Sequence, residues 1–484
     1  MTQTTGVNPV SIDCAPLLER VFLFDAVESS YQVTDIKGEI PPWLRGCYYI
    51  NGPARFHRGE LRYKHWLDGD GMVCALNFGQ EGVRFTNRFV RTPKFVEEEA
   101  AGRAIYRTFG TAFPGDKLRR NVMLEPPVNV SVYPFAGTLL ALSEQSLPFE
   151  LDPVTLETRR EYDFHGSLNG ISPFAAHAKF DPANGHMVNF GVAFSPGKPL
   201  LHVFEFDPAG HLVRRRRHPL RYQHSNHDFG LSSNYTTFYL SPLIMDFDKF
   251  WNERISVMES LSWEPERGSY ILVAPRESKT EQSFEVPAGP GKCLHLINCF
   301  DGEGMLTVDL LELEAPVYPE YETVPDLFST LSRCRPVRYR ISLKERALVE
   351  KIAMSYDLGP DFASIDKQLT CQPYDDFWML GISATGKPGR KFFDQLAHGR
   401  WSVGAVDDVF QTESGVYLGG EPVFVPHPKD RRQGIVIIEQ IDARHDTGGF
   451  LLFDSSNVAR GPVAQIGLRH KIHPGFHTSF LPAR

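Results

Sequence analysis

A chain of 484 residues with 42 % hydrophobic and 12 % aromatic content can bury a large core, which excludes a disordered protein. Its formal charge of -8, from 51 Lys and Arg against 59 Asp and Glu, lacks the basic excess of a nucleic-acid binder, so no nucleic-acid partner is expected. The first residues, MTQTTGVNPVSIDC, have no signal-like region, no apolar run approaches the roughly 18 residues of a membrane span, and the seven cysteines form no CxxC pair; these predict a cytoplasmic protein with reduced thiols.

Short strand-like runs recur along the whole chain, among them CYYINGPARF, LHVFEFD and SYILVAP, and helical periodicity is scarce. The run HWLDGDGM at 65–72 opens like a calcium loop but lacks the third Asp or Asn and the closing Glu, and so reads as a tight Asp-Gly turn. A patch at 109–124 mixes Phe109, Phe113, Leu118, Val122, Met123 and Leu124 with Lys117, Arg119 and Arg120, which suits either a covered loop or an anionic lipid surface. LDPVTLETRREYDF at 151, KFDPANGHMVNFGVAF at 179 and EFDPAGHLVRRRRHPL at 205 each read as a strand, an Asp-Pro turn and a returning strand. Hairpins at this spacing, with no linker-like composition, predict a single domain over 1–484 folded as an all-β propeller, with no blade count from pattern alone. Within the third hairpin, Arg214 to Arg217 alternate between two faces and read as solvated surface.

The stretch HSNHDFGLSSNYTTFYLSP at 224–242 alternates like a strand from Asn234 to Leu240, yet two histidines and an aspartate stand at its head. After it, residues 242–263 place Leu243, Phe247, Phe250, Trp251, Ile255, Met258 and Leu261 mostly three or four apart, predicting an amphipathic helix that packs on the protein or dips into a membrane interface. At 381–388, GISATGKP matches a phosphate loop until Pro388 replaces the Ser or Thr that would bind magnesium, so no phosphate site is expected. Four of the 17 histidines enter strands in similar settings: AAHAKFDP (His177), SNHDFG (His227), CLHLIN (His295) and GFHTSF (His477). Such dispersed positions fit either separate core histidines or a metal site on a propeller axis, where strands from different blades converge.

The motifs PPWLRGCYYINGP at 41, HWLDGDGMV at 65, NRFVRTPKFVEEEAAGRA at 87, LLALSEQSLPFELDPVTLET at 139, AAHAKFDPANG at 175, HDFGLSSNY at 227, HLINCFDGEG at 295, GGEPVFVP at 419 and GFHTSF at 475 occur in order over nearly the whole chain. In these it resembles the carotenoid cleavage oxygenases, which include the retinal pigment epithelium isomerase, plant epoxycarotenoid dioxygenases, and bacterial apocarotenoid and lignostilbene oxygenases. The resemblance implies a seven-bladed propeller with a few short helices and loops capping an iron site. It further implies Fe(II) on His177, His227, His295 and His477, O2 as co-substrate, and no catalytic side chain beyond the metal centre. His224 matches no ligand position. The family's three outer glutamates fall on Glu144, Glu421 and, with an aspartate one methylene shorter, Asp361.

Lignostilbene cleavers are similar to one another in a lysine before the first outer glutamate and a tyrosine upstream that engage a phenol. This chain has Ser143 before Glu144, and Phe109 falls about where the tyrosine would. The expected substrate is therefore an apolar polyene, a carotenoid or apocarotenoid, cleaved at a conjugated double bond into two carbonyl products. The expected enzyme is a monomer, with peripheral membrane contact through 242–263 and 109–124. Two alternatives are a stilbene-type phenylpropanoid dioxygenase and a carotenoid-binding propeller that has lost its chemistry.

Overall fold

The structure is a computed structural model, and it describes residues 14–483 apart from 121–122, 194–198, 278–280, 318–323, 325, 327 and 330. Its strands form seven sheets of four or five strands, together with two small two-stranded sheets. Ladder pairing within each blade is antiparallel throughout, as expected when consecutive strands are joined by tight turns. The fold is a seven-bladed β-propeller with few helices.

The three Asp-Pro segments are hairpins, and each aspartate makes its own turn. Asp152 Oδ1 accepts the Val154 and Thr155 N–H groups at 2.9 and 2.8 Å. Asp181 Oδ1 accepts Ala183 N–H at 3.0 Å, and Asp207 Oδ1 accepts Ala209 and His211 at 3.0 and 2.9 Å. A carboxylate that accepts backbone N–H groups two to four residues on sets the reversal.

Closure uses both ends of the chain. The strand Thr478–Pro482 is the inner edge of the first blade, paired antiparallel with Gly46–Pro53 from Ile50↔Thr478 to Gly46↔Pro482. The strand Ile36–Gly38 completes the outer edge of the last blade against Ala464–Gly467. Each end thus satisfies a ladder in the other's blade, and the ring has no open seam to expose unpaired backbone. Blade faces pack through clusters of buried aliphatic and aromatic side chains, such as Tyr48, Leu76, Phe85, Ile437 and Leu452 between the first and last blades.

Residues 242–263 differ from the predicted helix. Leu243–Met245 and Leu261–Trp263 pair as a two-stranded hairpin, and only Lys249–Glu253 and Met258–Ser260 coil, as single helical turns. Arg254 at φ +56° ends the first turn, and Arg107 Nη1 donates to the Phe250 and Ile255 carbonyls at 3.0 and 3.1 Å. Tertiary hydrogen bonds thereby take the carbonyls a helix would have used. The three- and four-residue spacing arises from a chain folding back, with Phe250 buried against Arg107. The patch at 109–124 lies against it: Met258 N–H donates to the Phe109 carbonyl at 2.9 Å and Arg254 to the Asp116 carbonyl at 3.1 Å. Val122 lies outside the described residues, and Arg119 is paired with Glu161 at 3.1 Å. Among the described residues no helix is long and apolar enough to cross a membrane.

The acids of 65–72 serve internal partners. Asp68 accepts Gly110 N–H and the Thr111 hydroxyl at 2.7 and 2.6 Å, and buried Asp70 pairs with Lys94 and Arg58 at 2.8 and 2.6 Å. Arg214 to Arg217 lie on the outer strand Leu212–Pro219 and alternate as expected, with Arg214 pairing to Glu205 at 2.6 Å.

Candidate metal centre

The inner strands of the blades run side by side around the axis, and the four histidines sit at their entries or within them. His177 precedes Ala178–Phe180, His227 lies before Gly230–Leu231, His295 lies in Lys292–Gly302, and His477 precedes Thr478–Pro482. Although 300 positions separate the first from the last in the sequence, one nitrogen from each ring lies within 4.8 Å of those of the others. His177, His295 and His477 are buried and His227 is half-buried.

Irregular backbone aims these groups. The ladder of Lys292–Gly302 slips register between Cys293 and Leu296, across His295, and again before Asn298, that of Asp361–Ser364 slips after Asp361, and that of Val416–His427 slips between Gly419 and Val423, around Glu421. Bulges of this kind re-aim a side chain from the pleat towards an axis. At the last of them Gly420 has φ +72°, and a Cβ there would stand 2.4 Å from Ile50 Cδ1, so any other residue is strained and must displace the tip of Ile50. Glu421 is then stitched to the chain around His477: its N–H donates to the Phe476 carbonyl at 2.6 Å, and the Thr478 hydroxyl donates to its carbonyl at 3.0 Å.

Each of three imidazoles has a carboxylate on Nδ1. Glu144 Oε1 is 2.5 Å from His227, Asp361 Oδ1 is 2.5 Å from His295, and Glu421 Oε2 is 3.2 Å from His477. At His295 and His477 the carboxylate accepts a hydrogen bond, which places the proton on Nδ1 and leaves the Nε2 lone pair free, whereas Glu144 Oε1 stands close to His227 Nδ1 without a hydrogen-bonding geometry. The shorter Asp361 side chain reaches directly. Its bulge carries Phe362 at φ +54°, and the same Oδ1 accepts Phe362 N–H at 2.9 Å. His177 is the exception, with Asp228 Oδ1 at 3.7 Å from Nδ1. Asp228 follows His227 directly in HDFG, and Lys179 Nζ lies 2.9 Å from it. Asp228, Lys179, Lys367 and Phe362 escape a search of the sequence for ligands, although each stands within a few residues of a quoted motif or of Asp361.

Electrostatics favour the neutral form at two of the rings, His177 and His477. Burial pulls His177 well below the ordinary histidine range, helped by the other three imidazoles and Lys179, and burial lowers His477 to about 4. At His295 burial also lowers the value, but Asp361 more than offsets it and the net shift is upward. Asp361 and Glu421 are both held below the usual carboxylate range; burial opposes this, and His295 and Lys367 respectively are the largest opposing charges.

Three observations fit a divalent cation at this point. His295 Nε2 is buried with no hydrogen-bond partner. The Nε2 atoms of His177 and His227 stand 3.0 Å apart, about the separation of adjacent nitrogens bound at ~2.1 Å to one metal. Among the described residues the four carboxylates Glu144, Asp228, Asp361 and Glu421 face only two ammonium groups, Lys179 and Lys367, so Glu144 and Asp361 have imidazoles but no lysine beside them. Four imidazoles suit iron, zinc, copper or nickel better than calcium or magnesium.

The centre borders an aromatic cluster and a cavity, and Phe362 belongs to both. Phe362 lies 5.3 Å from both the His295 and His477 rings and stacks on Phe476 at 6.1 Å, which in turn meets Trp66 at 4.5 Å. A cavity of about 700 Å³ touches Phe362, His177, His295 and His477 and is lined further by Trp43, Lys367 and Arg431. His224 points elsewhere. Its Nδ1 donates to the Ser241 carbonyl at 2.7 Å and its Nε2 meets the Tyr270 hydroxyl at 3.2 Å, pinning the strand entry.

Behind His477, Glu439 is fully buried, accepting Gly475 N–H at 2.8 Å on Oε2 with no partner for Oε1. Burial pushes its carboxyl up to about 8. The folded chain then holds a proton that the unfolded chain releases near pH 4.5, so this group's favourable contribution is complete below that pH and is lost as pH rises towards 8. Glu439→Gln is expected to gain stability over the parent across this interval, by at most ~1.4 kcal/mol per pH unit. Urea unfolding at pH 5 and pH 8 checks this, and a difference independent of pH contradicts it.

Comparison with known proteins agrees with this architecture. The family model described as retinal pigment epithelial membrane protein matches residues 24–482. An isoeugenol monooxygenase of Pseudomonas putida is 27 % identical over 93 % of this chain and 95 % of its own length. The apocarotenoid-15,15'-oxygenase of a Synechocystis strain is 27 % identical over 94 % of each chain, and the lignostilbene-alpha,beta-dioxygenase isozyme III of Sphingomonas paucimobilis is 24 % identical over 94 % and 95 %. The cobalt-substituted Synechocystis oxygenase superposes with a TM-score of 0.88 at 26 % identity, covering 96 % of this chain and 98 % of that one. With its propeller, its axial histidines and a match over nearly its whole length, the chain belongs to the retinal pigment epithelial membrane protein family of carotenoid cleavage oxygenases.

Proposed function

We propose that this protein is a non-haem Fe(II) dioxygenase that cleaves a conjugated C=C bond of a carotenoid or apocarotenoid into two carbonyl fragments. The observation that carries the reading is the convergence of four imidazoles, three with a carboxylate within 3.2 Å of Nδ1. Fe(II) held there would supply the activation of O2. His177, His227, His295 and His477 would hold it through Nε2, Asp361 and Glu421 fix the tautomer of two rings, and Glu144 stands beside the Nδ1 of a third. Phe362, against the His295 and His477 rings and in the cavity wall, offers an apolar face to a polyene.

The substrate class is read from what precedes Glu144. Ser143 is buried and brings no ammonium group to the site, so nothing at that position holds a phenolate. Phenylpropanoid cleavage is the second reading, favoured by likeness to the isoeugenol and lignostilbene enzymes. Comparing kcat/KM for an apocarotenal, isoeugenol and a 4-hydroxystilbene decides between them: the first should lead, and preference for either phenol overturns the polyene assignment.

A polyene of that class partitions into membranes, and the proposal includes collection from a lipid surface through the contiguous segments 109–124 and 242–263. Supporting it is the half-buried pair Phe247 and Trp251, whose rings stack at 5.0 Å. Replacing both by Ser is expected to weaken liposome partition several-fold without lowering Tm. Unchanged partition returns the segment to a packing role.

A further inference from the structure

The three carboxylates behind the imidazoles are not equivalent. Glu144 and Asp361 lie 2.5 Å from their rings, whereas Glu421 lies 3.2 Å from His477. Among the described residues Glu421 is also the one of the three with an ammonium partner: Lys367 Nζ is 2.8 Å from Oε1 while His477 Nδ1 faces Oε2. A carboxylate shared with a cation has less charge to lend its imidazole, and the longer contact agrees with this.

Lys367 is held where it is by a constructed support. It opens the single turn Lys367–Leu369, just after the bulged strand that bears Asp361. The preceding residue, Asp366, accepts Gln368 N–H at 3.0 Å to cap that turn. Both Asp366 oxygens are clamped by Arg431 Nη2 at 2.7 and 2.6 Å, from the strand Asp430–Asp442 of the last blade. The lysine side chain is 61 % exposed towards the axial cavity, and the carboxylate it meets is only 9 % exposed. An exposed side chain with ample freedom thus starts from an anchored turn, with its charge directed at a buried group.

We infer that Lys367 is a positioning residue that moderates the metal centre, weakening the His477–Glu421 bond and cancelling one of the negative charges that would otherwise attract the cation. The inference rests on the metal reading of the four histidines and goes beyond it by assigning a residue that touches neither metal nor substrate. Without the ammonium group the surroundings carry one more negative charge. A divalent ion is then held more tightly, and a trivalent ion gains more than a divalent one, so ferrous iron oxidises more readily. Lys367 keeps the centre in its reduced state in air.

The test uses the full-length protein with Lys367→Met, which keeps the length of the side chain, and Lys367→Arg, which keeps the charge. Anaerobic Co(II) titration against a chelator reads affinity, and the rate of ferrous oxidation in air reads the second effect. Lys367→Met is expected to bind Co(II) about 3- to 10-fold more tightly, an advantage that shrinks at high salt because the replaced charge is largely exposed, and to oxidise faster. Lys367→Arg should behave like the parent. A lysine that merely braced the loop would give the opposite sign, looser Co(II) with a lower Tm, and that result, or unchanged affinity and oxidation, overturns the inference. A parent protein that binds no Co(II) sinks the metal reading itself, and a parent that binds Co(II) but cleaves no polyene sinks only the substrate assignment.

Discussion

Replacing His295 by alanine is expected to remove bound metal and oxygenase activity together while leaving the propeller folded. The Nε2 atom is buried without a hydrogen-bond partner, so the group carries a desolvation cost that its folded surroundings do not repay. Nδ1, by contrast, is committed to Asp361 at 2.5 Å. The alanine variant therefore loses a donor that no neighbour can replace, and Asp361 is left facing a cavity. Its loss of activity should exceed the roughly 10–100-fold that follows removal of an outer partner. Metal analysis after anaerobic loading, thermal unfolding and turnover are read on the same sample. A variant that retains full metal and turnover shows that the ligand set is wrong; one that unfolds calls for His295→Gln, which keeps a polar side chain of similar reach.

Asp361→Ala carries the next largest effect, a loss of about 10–100-fold in metal affinity or activity. The carboxylate serves two donors through one oxygen, His295 Nδ1 and Phe362 N–H, so removing it frees the imidazole to rotate and loosens the bulge that aims it. Asp361→Asn should fall between the parent and the alanine variant, since the amide oxygen still accepts but carries no charge. Asp361→Glu should also be worse than the parent. The backbone is already adapted to the shorter side chain, with Phe362 in the left-handed region at φ +54°, a position costing roughly 1–2 kcal/mol in a non-glycine residue. An added methylene would push the carboxylate past the ring it now meets. Anaerobic titration across the three variants gives the order; equal affinity in all of them would mean that Asp361 does not orient His295.

Much of the site was legible because its chemistry is written in short motifs. The four histidines and Glu144 and Glu421 stand in local contexts that survive any displacement of the strands around them. The hairpins at Asp152, Asp181 and Asp207 were legible for a similar reason: each aspartate bonds its own turn within two to four residues. What the sequence hid depends on contacts far along the chain. Leu243 to Leu261 has the spacing of a helix, and only the hairpin pairing Leu243↔Trp263 and the donation from Arg107, over 140 positions away, decide otherwise. Whether Asp361 could reach His295 turned on a left-handed Phe362 that carries no glycine signal. The charges of Lys179 and Lys367 gained meaning only once Asp228 and Glu421 were seen beneath them.

The most direct test of oxidative cleavage loads the protein with Fe(II) anaerobically, adds an apocarotenal under 18O2, and weighs the products. The expected result is two carbonyl fragments that together restore the carbon skeleton of the substrate, each bearing one heavy oxygen before exchange with water. Intact or merely isomerised substrate beside a stoichiometrically loaded centre would contradict oxidative cleavage as the work of this propeller.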